Sequence, residues 1–109
     1  MKFQYSLSSE AFESIEKQQI WLEENAGDEL ADFWMVSLKA ALEGLALHPE
    51  KNGFAPENAD WQMEVKIRQK RFRPWKGKPG WRVLYSVDEA AAMVTILQVR
   101  HESMPWVEE

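Results

Sequence analysis

Eight basic residues and no acidic one lie between positions 65 and 82 of this 109-residue chain: Lys66, Arg68, Lys70, Arg71, Arg73, Lys76, Lys78 and Arg82. Lys and Arg at this density are suited to phosphate and carboxylate recognition. Their charged N–H groups make short, strong bonds to anionic oxygen, and they displace condensed counterions from a polyanion. Lys66, Arg68 and Lys70 recur at the two-residue spacing that puts strand side chains on one face. Such a row serves an anionic partner, complements acidic residues elsewhere in the chain, or guards a sheet edge against aggregation. Trp75 and Trp81 flank the loop KGKPG, and indole rings beside cations are platforms for nucleobases. His101, one of two histidines, is the group able to exchange a proton near neutral pH, or else a surface histidine at a strand end. His48, just before Pro49, reads as a helix C-terminal residue favoured by the dipole.

The local charge contrasts with the whole. The chain has 13 Lys and Arg against 18 Asp and Glu, a net −5. Residues 1–64 hold four basic and 13 acidic side chains, and residues 83–109 hold one and five, so both flanks are negative. A pI near 5.1 argues against a nucleic-acid partner for the chain as a whole, while the field near residues 65–82 argues for an anionic one. The absence of cysteine removes disulfides and thiolate metal sites, and two distant histidines make no metal centre. No glycine-rich phosphate loop is present. No cofactor is expected. No apolar run reaches the roughly 18–20 residues of a membrane span, and MKFQYSLSSEAFE lacks a leader pattern. The expectation is a cytoplasmic protein of one domain, residues 1–109.

The elements that must position these residues follow from periodicity. KFQYSL alternates as a half-buried strand, with Phe3, Tyr5 and Leu7 on one side. Ser8 or Ser9 is suited to start a helix with Glu10 and Glu13 in its first turns, and Ala11, Phe12, Ile15 and Leu22 recur at helical spacing. Gly27 can close that helix from the left-handed region and Asp28 can cap the next. Leu30, Trp34, Leu38, Ala41 and Leu45, widened by Phe33 and Leu42, form the stripe of a second helix that His48-Pro49 ends. So short a joint predicts an antiparallel helical hairpin. After the loop PEKNGFAPENAD, strands are predicted around Met63–Arg68, Trp81–Val87 and Met93–Val99. The last is apolar on both faces and so central. The order β-α-α-β-β-β is an α+β fold, a helical hairpin on one face of a mainly antiparallel four-stranded sheet. Trp21, Trp34 and Trp61 read as core, and Trp106 as a lone aromatic in an acidic tail. Trp81 and Val83 point toward the helices, so Arg82 points away.

That order, with LKAALEGLALHPEKNGFAPE (38–57), GWRVLYSVDE (80–89) and VTILQVRH (94–101), resembles the RelE/ParE family of type II toxin–antitoxin toxins, which includes plasmid-stabilisation proteins. The resemblance spans nearly the whole chain and implies a bacterial, growth-inhibiting toxin neutralised by a cognate antitoxin. RelE-like members cleave mRNA in the ribosome, whereas ParE-like members act on DNA gyrase. In the former, the strand matching WRVLY carries an arginine on the scissile phosphate, which corresponds to Arg82. Arg100 and His101 stand where the last strand adds cationic or histidine groups. In that reading Arg82, Arg100 and His101 are catalytic, with arginine steadying phosphorane charge and His101 as acid or base. Lys66, Arg68, Lys70, Arg71, Arg73, Lys76, Lys78 and Trp75 then bind nucleic acid or a protein partner.

Two departures favour a toxin that is not a nuclease. The chain is acidic where relatives are usually basic, and it ends ESMPWVEE where mRNA-cleaving members often add a tyrosine. A family-like interaction module that keeps only partner binding is the alternative reading. Self-association into a homodimer stays open.

Overall fold

In the computed structural model, which describes residues 3–55 and 67–102, the chain runs β1 (Gln4–Leu7), α1 (Ser9–Ala26), α2 (Asp28–Leu47), β2 (Arg68–Phe72), β3 (Trp81–Asp88) and β4 (Met93–His101), with a 3₁₀ turn at Pro49–Lys51. This is the predicted order. The sheet order is β1-β4-β3-β2, with β1 parallel to β4 and the other pairs antiparallel. β4 is therefore central, as its two apolar faces predict. Of the strand expected around Met63–Arg68, residues 63–66 lie outside the described residues, as do Trp61 and Trp106. The described strand runs onward from Arg68 instead.

Local chemistry sets the helix ends. Ser8 caps α1, its hydroxyl accepting the Ala11 N–H at 3.0 Å and satisfying one orphan donor. Gly27 closes α1 at φ 97°, its N–H bonded to the Leu22 carbonyl. Gly27 also opens α2, so Asp28 is not the cap. It lies in the first turn with Glu29, where both carboxylates meet the positive end of the dipole. His48 follows the last residue of α2, and Pro49 begins the 3₁₀ turn.

The hairpin packs on one sheet face. Ala11, Ile15 and Leu22 of α1 and Ala31, Trp34, Leu38, Leu42 and Leu45 of α2 share a core with Phe72, Trp81, Val83, Tyr85, Val94, Ile96 and Val99. At roughly 25 cal/mol per Å² of apolar surface, burial of this core is the main term holding the fold. The α2 stripe is rotated relative to the sequence pattern. Leu42 is inside as expected and Ala31 and Ala46 join it, while Leu30 is 42% and Phe33 47% exposed. Phe12 and Trp21, expected in the core, are 59% and 57% exposed. Leu84 instead buries against Ala55 and Ile67, with Leu97 alongside, in a separate small cluster. That cluster lies on the other side of the sheet, since Leu84 alternates with Val83 and Tyr85.

One irregularity decides what that second face displays. Tyr85 pairs with Ile96 but Leu84 pairs with Gln98, so Leu97 is an extra residue in β4. This bulge flips the alternation. Without it, Val94, Ile96 and Arg100 would share the helix-packed side. With it, Val99 returns to the core and Arg100 faces away. The cap and second turn of α1 hold the bulge in place: Ser8 donates its N–H to the Ile96 carbonyl and its hydroxyl to that of Leu97, and the Ser14 hydroxyl accepts the Val99 N–H at 3.0 Å.

Candidate functional site

The face turned away from the helices is read in rungs across β2, β3 and β4. Gln69, Leu84 and Gln98 form one, and Arg71, Arg82 and Arg100 form the next. Strands about 4.8 Å apart put three arginines within roughly 10 Å. Like charges directly opposite one another oppose folding, so a rung of this kind is kept in a sheet at a cost. Arg82 is 9% exposed, and its guanidinium donates to Gln69 Oε1 at 3.2 Å. Arg100 donates to Gln98 Oε1 at 2.9 Å. Arg71 is exposed at the outer strand. The two amides orient the guanidiniums.

The ladder runs one pair further than the strands. Glu102 donates its N–H to the Gly80 carbonyl at 2.9 Å, giving a third rung of Arg73, Gly80 and Glu102. Arg73 and Glu102 meet at 3.5 Å, with the arginine 60% and the carboxylate 18% exposed. Glycine is required between them. A Cβ at position 80 would come within 2.5 Å of both the Phe72 carbonyl oxygen and Arg73 Cγ, and 3.1 Å from Glu102 Oε1. Partial burial works against the Glu102 charge. The Gly80 N–H and the Arg73 and Arg71 guanidiniums outweigh it and hold the carboxyl below its ordinary range.

Other residues singled out in the sequence lie elsewhere. His101 pairs with Trp81, its ring 5.0 Å edge-on to the indole, on the helix-packed side. It is therefore not brought beside Arg82. Arg68 and Lys70 share the side of Phe72, opposite to Arg71 and Arg82. Arg68 is engaged internally, donating to the Glu50 and Asn52 carbonyls at 3.3 and 2.6 Å and lying 4.3 Å over the Phe54 ring. There it anchors the loop after α2, as does Tyr85, whose hydroxyl bonds to the Pro49 carbonyl. Trp75 is half-buried, its ring 6.0 Å from Phe33 and 5.9 Å from Trp81. Lys76 and Lys78 are exposed in the β2–β3 loop. Lys66 lies outside the described residues.

The sequence pointed to Arg82 and Arg100 separately. The rung they form with Arg71 depends on register, and on the bulge that no alternation in MVTILQVRH reveals. Among the described residues no three His, Cys, Asp or Glu side chains gather as a metal site would require, and no helix is long and apolar enough to cross a membrane.

The comparisons with known proteins point one way. A model described as the ParE toxin of a type II toxin–antitoxin system, parDE, matches residues 5–106. The fold is similar to the chromosomal ParDE toxin–antitoxin system of P. aeruginosa, with a TM-score of 0.65 at 11% identity over 92% of this chain and 96% of that one. It is also similar to the free form of a mutant E. coli RelE toxin, with a TM-score of 0.58 at 17% identity over 94% and 86%. The RelBE2 toxin–antitoxin complex of Mycobacterium tuberculosis gives 0.55 at 16% identity over 94% and 100%. Among curated proteins none matches in sequence.

Proposed function

The chain belongs to the ParE toxin family of type II toxin–antitoxin systems, and from that premise we propose that it arrests growth by binding DNA gyrase through its arginine face, without covalent chemistry. A cognate antitoxin blocks that action. The observation that carries this reading is the composition of the face around Arg82. Arg71, Arg82 and Arg100 stand in one rung, oriented by Gln69 and Gln98. Cleavage of RNA by its own 2′-hydroxyl needs a base for that hydroxyl and an acid for the leaving oxygen. His101, the group best suited to either step, packs against Trp81 on the opposite side. Glu102, on the neighbouring rung, is held ionised beside Arg73 and so is not poised to be the acid. What remains is a grip for an anionic surface, and a gyrase inhibitor needs no more. Gyrase acts on DNA, whose phosphates suit such a face.

The experiment is supercoiling of relaxed plasmid by purified gyrase, with the chain and with Arg71→Ala. Arg71 is exposed and bears no packing role, so its removal leaves the fold intact. The expected result is inhibition by the chain and an effect at least about tenfold weaker for the variant, the order lost with one charged hydrogen-bonded contact. Full supercoiling at saturating chain overturns the gyrase reading. Ribosome-dependent mRNA cleavage or a non-toxic interaction module would then be distinguished by toeprinting on translating ribosomes.

A further inference from the structure

Glu102 sits on the arginine face, yet no part of a grip for anions calls for a carboxylate there. It occupies the rung next to Arg71, Arg82 and Arg100, just past the end of β4 and two residues on from Arg100, hence about 7 Å away along the chain. Its position is built rather than incidental. Its backbone N–H is bonded to the Gly80 carbonyl, and its carboxylate meets Arg73. The missing side chain at Gly80 leaves the room in which Arg73 and Glu102 approach one another. At 18% exposure the side chain is held with little freedom left to lose.

We propose that Glu102 is a fixed internal counter-anion that discounts the arginine face against polyanions in general, reserving it for a partner that offers shape and hydrogen bonds as well as charge. The exposed Arg71 and Arg73 contribute to a positive total that attracts RNA or DNA without regard to sequence. Glu102 removes one positive charge from that total by occupying Arg73, and weakens the pull of Arg71, whose field it shares. Mixed charge of this kind raises selectivity at the expense of raw affinity. The carboxyl is held below its ordinary range, so it stays ionised at physiological pH and the discount is permanent.

The test is binding of fluorescent oligothymidylate to the full chain as a function of salt, for the chain, Glu102→Gln, Arg73→Gln and the double variant. The amide keeps the shape of Glu102 and removes its charge. The expected result is a three- to tenfold gain in affinity for Glu102→Gln, about what one unit charge roughly 4 Å off contributes when fully screened by water. The logarithmic salt dependence should steepen by about 0.7, one further phosphate contact on a single strand. Arg73→Gln should change affinity less than about twofold in the native background, where Arg73 is already neutralised, and weaken it several-fold in the Glu102→Gln background. A merely structural Glu102 would lower the melting temperature on substitution and leave the salt slope where it was. Equal affinity, weaker affinity or no detectable binding for Glu102→Gln overturns the proposal. A chain that stalls gyrase yet binds oligothymidylate equally before and after Glu102→Gln would keep its toxin role and lose this one.

Discussion

Gly80 is the residue on which the end of the arginine face turns. Its backbone passes so close to β2 that a single methyl group would meet the Phe72 carbonyl oxygen, a backbone atom that does not swing aside. Gly80→Ala is expected to lower stability by about 1–3 kcal/mol, the cost of inserting a methyl into packed structure, read as an earlier midpoint in urea. Glu102, its neighbour, gives the fold a pH signature. Its folded pKa lies below the roughly 4.3 of an unfolded glutamate, so its contribution is whole above that value and fades as pH falls through the folded one. The gap in melting temperature between the chain and Glu102→Gln should hold steady from about pH 8 to 6 and narrow between about pH 5 and 3. Measuring the gap matters because Glu89 runs the other way. The hydrogen bond that protonated Glu89 donates to Glu50 and the repulsion between the two carboxylates raise its pKa, and subtraction removes that background.

The extra residue in β4 turns a strand into a display for Arg100. It survives because α1 supplies partners for the backbone groups it frees, through Ser8 and Ser14. Ser14→Ala would strip the buried Val99 N–H of its acceptor, for an expected loss of about 1–2 kcal/mol in chemical denaturation. Urea unfolding of that variant checks it, and the loss should shrink in Ser14→Thr, which keeps the hydroxyl. At this scale the sequence was legible where one period dominates. The alternation in WRVLYSV put Arg82 opposite Trp81 and Val83, and MVTILQV read as a central strand because both of its sides are apolar. That same apolarity concealed the bulge, since a shift of one residue leaves such a pattern looking unchanged. The α2 stripe misled for a related reason. Leu30, Phe33, Trp34 and Leu38 are all apolar, and only packing against the sheet shows that Trp34 turns inward while Phe33 turns toward Trp75. Arg68 and Arg71 looked alike in a basic run. Register separates them, one to a loop carbonyl and the other to the arginine rung.

Among the described residues the charges are kept largely apart. The helical hairpin carries Glu10, Glu13, Glu16, Glu23, Glu24, Asp28, Glu29, Asp32 and Glu43 against Lys17 and Lys39, and the far side of the sheet carries the arginines. A net charge of −5 therefore conceals a strongly polarised surface, and association with an anionic target is set by the side that faces it. The fold class, the element order and the family were within reach of the sequence, because composition, periodicity and a few strings such as GWRVLYSVDE each carry part of them. The cellular target was not, because nothing in a basic run distinguishes phosphate from carboxylate.

The measurement that bears most directly on this account is pulse labelling of DNA and protein synthesis after tightly controlled induction of the chain, beside Arg71→Ala and an uninduced culture. DNA synthesis is expected to fall first, with translation following later and Arg71→Ala delaying both. Early loss of translation with replication still running, relieved by the same substitution, would contradict it and place the arginine face on the ribosome.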